Sequence, residues 1–176
     1  DVAGANLSVK ILPVSIDTNS TVARLISAYQ YVLDQRTLYN ESNGMQGAYI
    51  VAMNNSFGLE GFQYESAPFW CDFYTALGQE GILSVGATAS NIIDLDEVGD
   101  LPTVCPSEYL IMVGSVNNQG QWFNSAISEE HVDLGAPGEL VYTTFPDDLI
   151  GPISGTSASA AITSGLIGLL YASECG

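Results

Sequence analysis

Short apolar runs alternate along the chain with stretches of helical spacing. KILPVSI, residues 10–16, predicts a buried strand. Val22, Leu25, Ile26, Tyr29, Val32 and Leu33 then recur at helical intervals, with Ser20 placed to cap the helix they predict. AYIVAMN, residues 48–54, predicts a second strand. Pro68 opens a helix that carries Phe69, Phe73 and Leu77, and Gly78 is placed to end it. ILSVGA (82–87) and LIMVGS (110–115) predict two further strands, with shorter candidates at VDL (132–134) and LVYTT (140–144). A last helix is expected from about Ser157 to Tyr171, with Ile162, Leu166, Leu169 and Leu170 turned inward. This alternation predicts an α/β domain of three layers, a mostly parallel sheet with helices on both faces. No internal repeat, low-complexity tract or linker divides residues 1–176.

Composition narrows the functional classes. Hydrophobic residues make up 47% of the 176, enough for a substantial core, and no apolar run is long enough to span a membrane. The first residues, DVAGANLSVKILPV, carry no signal-peptide pattern, although a secreted precursor loses such a segment. Twenty acidic residues face only Lys10, Arg24 and Arg36, a formal net charge of −17. Nucleic acid and anionic membrane surfaces both require basic groups, so neither is expected as a partner. A solvated acidic surface accounts for most of these charges. The cluster Asp94, Asp96, Glu97 and Asp100 offers hard oxygen ligands and is a candidate calcium site, without the loop pattern of a helix-loop-helix site.

Three cysteines, Cys71, Cys105 and Cys175, leave at least one without a partner inside the chain. Cys71 and Cys105 are the candidate pair, with buried free thiols as the alternative. Sequons begin at Asn6, Asn19, Asn40 and Asn54 and matter only in a host that glycosylates.

A nucleophilic serine needs an exposed tight turn, a base to take its proton and donors for the oxyanion. The run Ser154-Gly155-Thr156-Ser157-Ala158-Ser159-Ala160 offers the first of these. Ser157 falls at a predicted helix N-terminus, where free N–H groups and the helix dipole favour negative charge. Most serines at helix starts are simple caps, and Ser159 stands where a G-x-S-x-G elbow needs its last glycine.

The flanking segments add weight. Val9-Lys10-Ile11-Leu12-Pro13-Val14 resembles the "VKIMPV" strand of subtilisin-like serine proteases. Met53 to Gly58 resembles their "NMSLG" strand beside the substrate cleft, and Gly81 to Ser90 their strand ending in "AAGN". Val113 to Ala126 resembles "VGA-x-x-x-x-G-x-x-x-x-F-S", and Ala136-Pro137-Gly138 precedes Gly155-Thr156-Ser157 as "APG" precedes "GTS". The order and spacing hold over nearly the whole chain. The resemblance implies a partial subtilisin-like peptidase domain, with Ser157 as nucleophile. It also implies a substrate cleft at Ser56, Phe57, Gly58, Ala87 and Ala89, and a secreted or cell-envelope location. An extended peptide is expected to pair with residues 54–58 and with the strand at 82–87.

This sequence also departs from the family. There the catalytic aspartate and histidine both precede the "VKIMPV" strand, so the N-terminal part that carries them is expected to be missing here. His131, the one histidine, lies far from the family's base position and reads as a surface residue. The family's oxyanion asparagine, nine residues after the opening glycine, falls on Ser90, with Asn91 next to it, so either side chain is a candidate donor. "GTSMA-x-P" reads Gly155 to Ala161 here, with its methionine, alanine and proline replaced by Ala158, Ser159 and Ala161.

Two functions follow from this reading. One is an endopeptidase completed by an N-terminal fragment of the same protease, the chain alone being inactive. Such a fragment would cover the sheet, and Cys175 is the cysteine left to bond to it. The other is a degenerate, subtilase-shaped binding or scaffold module. No cofactor beyond the candidate calcium is expected, and the substrate is a peptide or protein.

Overall fold

A computed structural model describes residues 4–16 and 21–173. Four parallel strands form the central sheet in the order β1-β3-β5-β6: β1 (Ala52–Asn55), β3 (Leu83–Ala87), β5 (Leu110–Val116) and β6 (Leu134–Pro137). Two antiparallel pairs lie outside it, β2 (Leu59–Glu60) with β4 (Asp100–Leu101), and β7 (Val141–Phe145) with β8 (Leu149–Ile153). Helices α1 (Val22–Glu41) and α2 (Pro68–Gln79) cover one face, and α4 (Thr156–Ala172) packs on β1, β3, β5 and β6 from the other. The short α3 (Leu95–Val98) follows the loop after β3. This is the three-layer α/β architecture that the alternation predicts.

Apolar residues on both faces of the strands explain the layering, because a parallel sheet is buried on both sides. Leu110 and Met112 of β5 join Leu25, Tyr29, Trp70, Tyr74 and Leu77 under α1 and α2. Ile111 and Val113, one residue on in each case, join Val85, Ala136, Ala160 and Ile167 under α4. A buried polar network runs through the first layer. The Tyr29 hydroxyl donates to Asn55 Oδ1 at 2.8 Å, so Tyr74 donates to Tyr29, also at 2.8 Å. Burial pushes the Tyr29 hydroxyl up to about 12, against the hydrogen bonds from Tyr74 and Trp70. Arg36, also buried, donates to the carbonyls of Glu80 and Ile50 and stacks over Tyr49. Cys71 and Cys105 form a disulfide from α2 to the loop before β5. Cys175, Asn19 and Ser20 lie outside the described residues.

Several expectations change. Residues 10–16 form no strand: among the described residues the segment pairs with no neighbour, Ile11 and Leu12 are exposed, and only Val14 and Ile16 reach the core. An apolar run has no strand identity until another strand takes up its hydrogen bonds. Thr21 caps α1, its side chain accepting from the Arg24 N–H. Gly78 lies inside α2, where the Tyr109 ring occupies the place of a side chain. Gly81, at φ +91°, ends the helix instead, with Gly81 N–H bonded to Gly78 O and Ile82 N–H to Leu77 O. The strand expected at 132–134 starts at Leu134, and residues 140–144 belong to a hairpin with β8.

The inward face of α4 also differs. It consists of Ala158, Ser159, Ala160, Thr163, Ile167 and Gly168, while Leu166, Leu169 and Leu170 are exposed. The helix is apolar all round, so hydrophobicity alone does not pick its inner side. Close approach to the sheet does, and it selects small residues.

Candidate active site

The carboxyl ends of β1 and β3 and the start of α4 meet at one cleft of about 180 Å³. Ser56, Phe57 and Gly58 line it after β1, and Ala87, Thr88, Ala89 and Ser90 at and beyond the end of β3. Thr156 and Ser157 enter from α4, Glu60 from β2 and Asp100 from β4. Loops at the carboxyl ends of parallel strands are where such sheets place ligands. All five residues expected to bind substrate are therefore brought together with Ser157 and Ser90.

Gly155 precedes α4 at φ +138°, a conformation that favours glycine, and its N–H bonds to Gly138 O at 2.8 Å. That turn puts Ser157 in the exposed first turn of the helix. No side chain caps α4, which leaves the field of its first N–H groups open to the cleft. Ser56 Oγ donates to Ser157 O at 3.2 Å and ties the helix start to the cleft wall. Among the described residues no hydrogen bond reaches Ser157 Oγ. His131 is half-buried elsewhere, with its N–H on Ser128 Oγ and its Nε2 3.9 Å from Asp96.

The two candidate oxyanion donors separate. Ser90 lines the cleft, 3.1 Å from Thr156 Oγ1. Thr156 gives its only hydroxyl proton to Thr88 O at 2.7 Å, so Ser90 is the donor to Thr156. Asn91 turns away, its amide donating to both carboxylate oxygens of Glu60 at 2.9 and 3.0 Å.

The acids 94–100 do not gather. Asp94 caps α3 by accepting from the Asp96 N–H, Asp96 accepts from Ser128 Oγ, and Glu97 is exposed. Asp100 continues past a turn at Gly99 into β4 and the cleft. Among the described residues no three acids, histidines or cysteines are grouped to hold a metal. Closeness along the chain does not bring these four carboxylates to one point, because the turn at Gly99 carries Asp100 away.

Asp100 was not anticipated as a cleft residue, nor was Glu60. Asp100 is 1% exposed; Thr103 Oγ1 donates to its Oδ2 at 2.6 Å, and its Oδ1 has no hydrogen-bond partner. Burial holds the carboxyl above its ordinary value, against the Thr103 bond; the Glu60 charge adds to the rise and the Ala89 N–H opposes it. No sequence motif marks these two residues. Their signal is the β2–β4 pairing, which only the fold supplies.

Substrate pairing along residues 82–87 is excluded, because β3 is bonded to β1 on one side and β5 on the other. Among the described residues β1 pairs only with β3, so its outer side is an open edge of the sheet.

A sequence model described as "Subtilase family" matches residues 1–174. The chain is 33% identical over 97 residues to the "Major intracellular serine protease" of Bacillus subtilis (strain 168), covering 54% of this chain and 30% of that protein. A "cold adapted subtilisin-like serine proteinase" superposes with a TM-score of 0.69 at 21% identity, over 90% of this chain and 50% of the other. The "Prenylagaramide maturation protease PagA" gives 0.68 at 19%, over 90% and 52%. The chain thus spans about half the length of these structures and under a third of the curated relative. The two superpositions agree with the layered fold, and the sequence match extends across almost every residue: the chain belongs to the Subtilase family of serine proteases.

Proposed function

We propose that this chain is the serine-bearing part of an endopeptidase that cleaves peptide bonds by acyl transfer. Ser157, exposed at the head of α4 in the same cleft as Ser90, is the observation that carries this reading. In this reading Ser157 Oγ attacks the scissile carbonyl while a histidine outside these residues takes its proton. An aspartate, also from outside, orients that histidine. The Ser157 N–H and the Ser90 hydroxyl, released from Thr156, hold the oxyanion. The tetrahedral adduct then expels the amine, which takes the proton, and water hydrolyses the resulting ester. The complementing segment is the N-terminal piece of the same protease, and the exposed Ile11, Leu12, Leu166, Leu169 and Leu170 support an apolar seat for it. The Cys71–Cys105 disulfide supports an exported location.

One observation favours the scaffold reading: the Ser90 proton is engaged by Thr156, and Asn91 is held by Glu60. A fluorophosphonate probe separates the two. Labelling of the intact protein, lost in Ser157→Ala and absent from the 176-residue chain alone, is the expected result. An intact protein that stays unlabelled is a scaffold, and a labelled isolated chain overturns the need for an outside base.

A further inference from the structure

The cleft contains an electrostatic arrangement that peptide hydrolysis does not require. Glu60 and Asp100 are register partners across the antiparallel β2–β4 pair, so both carboxylates rise on the same side. Like charges in directly opposed positions are unfavourable. Asp100 is nearly fully buried; Thr103 Oγ1 donates to its Oδ2, the Ala89 N–H lies close enough to favour the charged form, and Oδ1 completes no hydrogen bond. A buried carboxylate oxygen without a partner is costly, and folds normally supply one. None of the chain's three basic residues lines the cleft.

Gly58 packs closely against this carboxyl. A Cβ on Gly58 would stand 2.9 Å from Asp100 Oδ1 and 2.8 Å from Leu101 O. The same Gly58 lies on the wall that leads from Asp100 to Ser157. At the rim, Asn91 fixes Glu60 through both carboxylate oxygens, so that charge is held in place.

We propose that Asp100, with Glu60 at the rim, is an anionic subsite for the cationic side chain of a peptide substrate, an arginine or a lysine. This rests on the protease reading, and it makes the substrate residue whose carbonyl meets Ser157 the basic one. A guanidinium in the cleft brings planar donors toward the Asp100 carboxyl and offsets both charges at once. Two protein carboxylates leave a metal ion with most of its coordination sphere unfilled, so an organic cation is the better match. The subsite gives the two opposed acids a role.

The test uses the intact protein and two probes of one shape, benzamidine, which is cationic, and benzamide, which is neutral. Calorimetric titration is expected to show saturable benzamidine binding and none of benzamide at the same concentrations. Asp100→Asn should weaken benzamidine about ten- to hundredfold, the worth of a charged hydrogen bond. Gly58→Ala, which keeps both charges, should weaken it similarly, and an unchanged circular dichroism spectrum verifies each fold. Equal binding of the two probes, no binding of either, or indifference to both substitutions overturns the subsite. Tight calcium binding that displaces benzamidine also overturns it, in favour of a metal. A peptide library then separates the two readings. Cleavage after apolar residues only sinks the subsite and leaves the protease. Benzamidine bound through Asp100 in a protein that cleaves nothing sinks the protease and leaves the subsite.

Discussion

Glu60 and Asp100 stand directly opposite each other in the β2–β4 pair, one exposed at the rim of the cleft and the other buried at its base. Their juxtaposition weakens the fold. Asp100 is held above the ordinary carboxylate value of 3.8, chiefly by burial, so the folded chain binds this proton more readily than the unfolded one. Below 3.8 both states are protonated and the group is neutral to stability. As pH rises through the folded value, the charged form becomes an increasing burden. Asp100→Asn is therefore expected to raise Tm at neutral pH, with the gain shrinking to nothing in acid. Thermal melts across that range check it; a Tm that falls at neutral pH would show the carboxylate to be stabilising.

Ser90 bears on rate. In the protease reading its hydroxyl leaves Thr156 to reach the oxyanion, a contact made in the transition state and not in the ground state. In the intact protease Ser90→Ala is expected to lower kcat about 100-fold with KM nearly unchanged, the scale of one lost oxyanion donor. A change under about threefold removes Ser90 from that role.

Gly78 and Gly81 lie three residues apart in and after α2 and should respond unequally. A methyl at Gly78 runs into the Tyr109 ring, whereas at Gly81 it meets a single nitrogen of the Arg36 guanidinium at 2.8 Å together with an unfavourable φ. Gly78→Ala is expected to cost about 3 kcal/mol or more by overpacking. Gly81→Ala should cost nearer 1 kcal/mol, the penalty for a left-handed residue. Urea unfolding of the two variants gives the comparison.

The Cys71–Cys105 bridge spans 34 residues of sequence. Loop entropy alone makes it worth about 3 to 4 kcal/mol. Replacing both cysteines with alanine should lower the urea midpoint accordingly, and reducing agent should do the same to the native chain. Indifference to reductant would mean that the two thiols are not joined in solution.

Much of the fold was legible because parallel strands are written as apolar runs, and β1, β3 and β5 fall where those runs occur. Residues 10–16 carry the same signature without forming a strand, since pairing is not a property of one segment. The inner side of α4 was misread for a related reason: its leucines are the more hydrophobic choice, yet Ala160 and Gly168 allow the helix to lie close. In the cleft, Ser157 and Ser90 were found through motif spacing. Asp100 was grouped with Asp94 and Asp96 because they are near in sequence. The turn at Gly99, which sends it into β4, is a matter of backbone conformation that the acidic letters do not record.

The small inner side of α4 has a mechanical meaning. Ser159 Oγ donates to Ala136 O at 2.9 Å and Ala160 is fully buried against the sheet, both within one turn of Ser157. These two side chains act as shims beneath a lever. Their thickness sets the height at which the serine is presented to whatever occupies the cleft, and a single added methyl group there would lift it. The position of Ser157 at the cleft is thus set by residues buried beneath it.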